Sequence, residues 1–369
     1  MSPADDRADD RADDRADDRA DGRAQDQPTP AWVADPSIGW RILLTARTDI
    51  EGVEALLRER SVALARAQGW PALPPPRRGS SLAGLRASLV APDPAPLLVG
   101  LAEDHVVLSA HHSAVDGLGL LAVLDRLGLG PATSSARGVG ERTTTGSAAR
   151  TVAARLGEVA FAPPAGVTPP VPGRPGTGDV LVGRTVPGAH RTADLVAATA
   201  QAVVAHERAR GRRARHVAVA VGAVREQAGE GPVRDRSVLL RLRDVERLDP
   251  AGVARALATA PVQTPPVPAA PRPWSPAVNR VAALGMRLLA RRLGSTVLVS
   301  HLGSVEAPRV QHLAFHPVTA GGSGISLGAV GLRDASGAVG ETVLTLRARA
   351  ADWNDDGLEQ LLEAVISLL

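Results

Sequence analysis

The chain has no cysteine, no lysine and no tyrosine, and only five Trp and two Phe among its 369 residues. Without cysteine there are no disulfides, no thiolate nucleophile and no cysteine-ligated metal site. Without lysine and tyrosine, nothing titrates between histidine and arginine. A small excess of Arg therefore drives the pI to about 10.7 while the net charge is only +3. With 2% aromatics the chain also lacks the aromatic interleaving of single-strand binders, so no nucleic-acid partner is expected. No apolar run approaches the ~20 residues that span a bilayer, and the acidic N-terminus has no apolar segment of the kind that directs secretion. The expectation is a cytoplasmic monomer without stable membrane insertion.

What is present is arranged in blocks. Ala-Asp-Asp-Arg repeats from Ala4 through Arg19, and residues 1–27 hold ten Asp against five Arg, a net of −5 that leaves +8 for the remainder. Such a segment has nothing to bury, and residues 1–30 are expected to be a disordered tail. From Trp40 the pattern is mixed α/β. Trp40–Ala46 reads as a strand, and Thr48 with Glu51 as a capping box before a helix carrying Val53, Leu56, Leu57 and Leu64. Leu97–Leu101 and His105–Ala110 read as a hairpin turning near Glu103 and Asp104, and Leu120 to Leu127 as a helix.

Six prolines between Pro163 and Pro175 suggest an interlobe linker. The second half restarts with a strand near Val180, a helix from Leu195 to His206 and a strand at His216–Val221. Further expected elements are a helix over Val281–Leu293, strands at Thr296–Ser300 and Glu341–Arg347, and a last helix capped by Asp355. The division is an N-terminal lobe over 31–162, a Pro/Gly-rich linker over 163–177 and a C-terminal lobe over 178–369.

The chemistry lies in Leu108-Ser-Ala-His111-His112-Ser-Ala-Val-Asp116-Gly117-Leu-Gly119. Strand alternation puts Val106, Leu108, Ala110 and His112 on one face and turns His111 to the other. Adjacent residues that face opposite ways do not readily chelate one ion, so no metal is expected. His112 stands where a strand ends and the chain turns, a rigid support for an exposed reactive group. A neutral imidazole there can take a proton from a hydroxyl or amine attacking a carbonyl. Asp116 is placed to contact that ring or to pair with an Arg, with Arg41 and Arg86 as candidates. Gly117 and Gly119 are expected to let the backbone turn tightly.

His-His-x-x-x-Asp-Gly resembles the signature of the superfamily of chloramphenicol acetyltransferase, the condensation domains of nonribosomal peptide synthetases, the polyketide-associated acyltransferases and the wax ester synthases. Val299-Ser300-His301-Leu302-Gly303 is similar to the family's Ser-Asn-x-x-Gly strand, with His301 where Asn is usual, and the stretch from His316 through Gly324 to the end resembles the wax ester synthases. The family's Asp-Phe-Gly-Trp-Gly segment is absent. The resemblance spans roughly residues 38–369.

It implies an α/β (α+β two-layer) fold of two acetyltransferase-like lobes in a V-shaped pseudo-dimer. It also implies His112 as general base, Asp116 as a largely structural partner, and substrate contacts at His111, Gly117, Ser300 and His301. The implied reaction moves an acyl group from a thioester, on coenzyme A or the phosphopantetheine of an acyl carrier protein, to a hydroxyl or amine of a small molecule. No other cofactor is required, and secondary metabolism or lipid tailoring is the expected setting. The alternatives are a catalytically silent condensation-like module that recruits carrier proteins, and a same-fold enzyme using His112 for cyclisation or dehydration.

Overall fold

The computed structural model describes residues 32–35, 39–144, 148–170, 178–225, 233–263, 294–319, 323–334 and 336–369. The acidic repeats, part of the Pro-rich stretch and the helix expected over Val281–Leu293 lie outside the described residues. Within them the chain builds two sheets covered by helices, the mixed α/β architecture expected.

The first sheet contains β1 (Arg41–Arg47), β2 (Arg77–Arg78), β3 (Leu97–Ala102) and β4 (His105–His111). Its alternating residues face two cores. Ile42, Leu44, Val99, Leu108 and Ala110 pack with α1 (Val53–Gln68) and α3 (Gly117–Leu124), while Leu43, Leu98 and Val107 meet Leu85 and Leu89 of α2 (Leu82–Leu89). The first expected capping box does not form. Gly52, in the left-handed region at φ 68, starts α1 without a side-chain cap, and Thr48 Oγ1 instead accepts from Ile50 N. A left-handed start suits Gly and removes the need for Glu51.

Next come β5 (Thr133–Ser134), α4 (Ala148–Phe161), β6 (Asp179–Pro187), α5 (Thr192–Arg208), β7 (Val219–Val224), β8 (Ser237–Leu242) and α6 (Pro250–Thr259). The chain continues with β9 (Val297–Glu306), β10 (His312–His316), β11 (Ser326–Arg333), β12 (Val339–Arg349) and α7 (Asp355–Ile366). The second sheet runs β6-β12-β11-β9-β7-β8, with β9 parallel to both β7 and β11. Its inner face packs Val219, Val221, Val297, Val299 and Leu344 against Leu195 and Val203 of α5 and Leu358 and Leu362 of α7. The cap of α7 is Asn354, which accepts from Gly357 N, so Asp355 is the first helical residue rather than the cap.

The two sheets exchange strands. β10, from the second half, pairs with β1 from Leu43↔His316 to Arg47↔His312, and β5, from the first half, pairs with β9 at Thr133↔Glu306. Arg347 of β12 reaches across the same seam. Its Nη1 donates to the Arg41 carbonyl at 2.6 Å and its Nε to Asp179 at 2.6 Å, with the side chain 3% exposed. Both sheets therefore share buried backbone partners, which fixes how the end of β4 meets β9.

Candidate functional site

β4 ends at His111, and the next five residues, His112 to Asp116, lead into α3. The His112 amide donates to the Trp40 carbonyl at 3.3 Å, which pins the turn to the edge of β1. His112 is half-buried and its ring lines a cavity of about 1830 Å³ among the described residues. Its Nδ1 is buried with no hydrogen-bond partner among the described residues. His111 does the opposite. It is buried behind the strand, where Nδ1 accepts from Ser113 Oγ at 2.8 Å and from Ser113 N at 3.4 Å, and its ring meets Trp32 edge-on at 5.6 Å. The expected substrate contact of His111 is not what this position provides, because it does not line the cavity.

Asp116 caps α3 and is 3% exposed. Its expected pairing with Arg41 or Arg86 does not occur. One carboxylate oxygen accepts from Gly119 N at 2.6 Å and the other from Arg236 N at 2.8 Å, across 120 positions of sequence. Arg41 spends its guanidinium on Ser109 and the carbonyls of Asp93 and Ala95, and Arg86 donates to Thr45 Oγ1. Burial pushes the Asp116 carboxyl above the usual range, while the two amides and the nearby His112 pull it back. The carboxylate thus ties the motif to the second half through the backbone.

The glycines serve close approach rather than an unusual turn. A Cβ on Gly117 would lie 2.8 Å from Leu302 Cδ2 and 3.0 Å from Phe315 Cζ, and one on Gly119 would lie 2.8 Å from Val115 Cγ1. Gly117 is where β9 and β10 press on the start of α3, bringing second-half residues to the motif.

Strand register explains which second-half residues face the cavity. Leu298, Ser300 and Leu302 share one side of β9, opposite Val297 and Val299, which pack on the helices. Ala220 and Gly222 of β7 pair with Leu298 and Ser300, and Arg241 and Leu239 of β8 pair with Ala220 and Gly222. Gly222 is required by this floor, because a Cβ there would meet Ser300 Oγ at 2.9 Å. β7 stops pairing with β9 at Ser300, and β5 takes up that edge only at Val305. His301 lies at this opening and lines the cavity from the α5 side, with Nδ1 3.1 Å from Thr192 Oγ1. Burial, with His190 adding to it, lowers its pKa to about 4, so His301 stays neutral.

His112, Asp116, Gly117, Ser300 and His301 therefore line one cavity, and His111 stands apart. Sequence reasoning missed the Arg236 amide and the small floor residues Ala220 and Gly222, whose signal is pairing register that the sequence does not display. The Arg-rich stretch from Arg208 to Arg215 lies outside the lining, where Arg210 caps α5 through the His206 carbonyl and Arg212 meets Thr168.

No family profile and no curated protein sequence matches the chain. Among solved structures it is similar to a mutant starter condensation domain of rhizomide synthetase RzmA in complex with C8-CoA and Leu-SNAC. The identity is 15%, the TM-score 0.50, and the match covers 90% of this chain and 88% of that one. It is also similar to the first condensation domain of the calcium-dependent antibiotic synthetase, at 14% identity, TM-score 0.47 and 90% of each chain. A third neighbour is the X-domain from teicoplanin biosynthesis, at 12% identity, TM-score 0.46 and coverage of 89% and 88%. The chain has the condensation-domain fold.

Proposed function

We propose that the chain is a condensation-type acyltransferase that moves an acyl group from a thioester to a hydroxyl or amine of a small molecule. The observation that carries this reading is the position of His112, at the strand end beside α3, on a cavity whose floor comes from the other sheet. His112 Nε2 takes the proton as the acceptor oxygen or nitrogen attacks the thioester carbonyl. The carbonyl oxygen becomes an oxyanion, for which Ser300 on the cavity floor is the proposed hydroxyl donor. Collapse expels the thiolate of coenzyme A or of a carrier-protein phosphopantetheine, and the imidazolium returns the proton to it. Asp116 positions the motif through the Gly119 and Arg236 amides. No covalent acyl-enzyme, metal or further cofactor takes part in these steps.

One observation favours a second reading, the silent recruitment module. A base acting through Nε2 carries its hydrogen on Nδ1, and Nδ1 of His112 has no acceptor among the described residues. The two readings separate in one experiment. The protein is incubated with acyl-CoA or acyl-loaded carrier protein and a panel of amines and alcohols, and donor and products are followed by intact mass. Transfer by the wild type and its loss in His112→Ala supports the enzyme. Carrier-protein binding without turnover, indifferent to His112, supports the silent module.

A further inference from the structure

The cavity changes character along its length. At one end Leu302 meets the motif at Gly117, and four residues earlier on the same side of β9 lies Leu298, level with Ala220 and Arg241. At about 3.3 Å per strand residue these levels are roughly 13 Å apart. Between them the floor is Ala220, Gly222 and Ser300, small enough to leave room for an extended chain.

The Arg241 end is cationic beyond its own needs. Arg241 Nη1 donates to Glu158 Oε2 at 2.5 Å, Arg155 Nη1 to the same oxygen at 3.1 Å and Arg243 Nη1 to it at 3.5 Å. Three guanidiniums thus share one carboxylate. Among the described residues their other bonds go to neutral acceptors: Gln263 Oε1, Ser295 Oγ, and the carbonyls of Gly294 and Ala162. Arg155 and Arg241 both line the cavity, and the Arg241 side chain is only 6% exposed. Shielded cations in excess are unfavourable until an anion joins them, and the guanidinium fork matches a carboxylate.

We propose that this end of the cavity is a carboxylate-binding subsite, and that the small molecule entering there carries a free carboxylate at the far end from the atom it presents to His112, the two levels of β9 lying roughly 13 Å apart. Naming that molecule as the acyl acceptor rests on the acyl-transfer reading; the binding does not. The shielding of Arg241 favours a compact carboxylate over a hydrated phosphate.

The test uses the full chain, calorimetry, and three probes: aminoundecanoate, its methyl ester and pantetheine phosphate. The acid is expected to bind roughly tenfold to a hundredfold more tightly than the ester, the range of one or two charge-assisted bonds. Arg241→Gln and Arg155→Gln should each lose about tenfold for the acid. Arg241→Lys, which keeps the charge, serves if the Gln variant does not fold. Glu158→Gln should tighten the acid several-fold, because it removes the competing carboxylate. A merely structural network predicts the reverse, with Glu158→Gln weakening binding as Arg241→Gln does. Equal affinity for acid and ester, or Arg241-dependent binding of pantetheine phosphate with none of the acid, would overturn the proposal. Acid binding by a protein that transfers nothing would sustain the subsite and remove the transfer reading.

Discussion

The two halves of the chain contribute to the cavity in unlike ways. The first half supplies His112, Asp116 and Gly117 from one contiguous motif, within six residues. The second half supplies the floor from residues of β7 and β9, and the charged end draws on both halves, with Arg155 and Glu158 from α4 and Arg241 and Arg243 from the second half. Asp116 is held by two backbone amides, one from each half; Glu158, on α4 of the first half, is met by the guanidiniums of Arg155 on the same helix and of Arg241 and Arg243 from the second half. Chemistry is concentrated where the chain turns sharply, and shape is spread over whatever the sheet register brings together.

Breaking the seam between the halves should have the largest effect on stability. Arg347→Met leaves Asp179 without its partner in a mostly buried position and the Arg41 carbonyl without a donor. The expected loss is about 3–5 kcal/mol, read from denaturant unfolding. A loss below 1 kcal/mol would mean that the seam does not hold the halves together.

Next is Asp116→Ala, which strands the amides of Gly119 and Arg236 at once. The expected cost is about 2–6 kcal/mol, at roughly 1–3 for each of the two donors, together with lost activity as the 236 segment leaves the motif. Asp116→Asn should fall between it and the wild type, because Asn can still accept from Gly119 but presents an NH₂ or a single oxygen to the second amide. Gly117→Ala should cost about 1–3 kcal/mol by overpacking against Leu302 and Phe315. An unchanged unfolding midpoint for Gly117→Ala would show that the halves do not press on the motif as described.

The smallest effect is a pH dependence. Burial lowers the pKa of His206, His301, His312 and His316, and at His316 the charges of Arg86 and Arg347 add to it. These rings are neutral in the fold and charge more readily when it opens. Their stabilising contribution is full above the ordinary histidine value of 6.5 and drains away as pH falls towards the folded values, about 4 for His301. Asp116, shifted upward, works in the other sense: its contribution is present below 3.8 and lost as pH rises through its folded value. The melting temperature should fall between pH 6.5 and 4, less steeply in His316→Gln, and a flat profile would contradict the burial of neutral rings.

The difference between the halves also explains what the sequence displayed. The motif, the alternation of β4 and the hairpin at Glu103 were legible because each is set by neighbours in the chain. The partners of Asp116 were not, because one of them is a backbone amide, which any residue type supplies. β11 reads poorly as a strand since it contains Gly328 and Gly331. The fold requires both, as a Cβ on Gly328 would meet the Phe315 carbonyl at 2.0 Å and one on Gly331 would meet Val339 at 2.9 Å. β10 was missed because its five residues carry no alternation, being buried on both faces between two sheets that the sequence does not place side by side.

The most direct test is the rate of acyl transfer from a thioester donor by the wild type, His112→Ala and His111→Ala, each checked for an unchanged fold. His112→Ala should lose roughly 10²–10⁴ in rate with its melting temperature kept. His111→Ala, which removes a buried ring packed on Trp32, should lose stability while retaining most of the chemistry. Full transfer by His112→Ala would contradict the account.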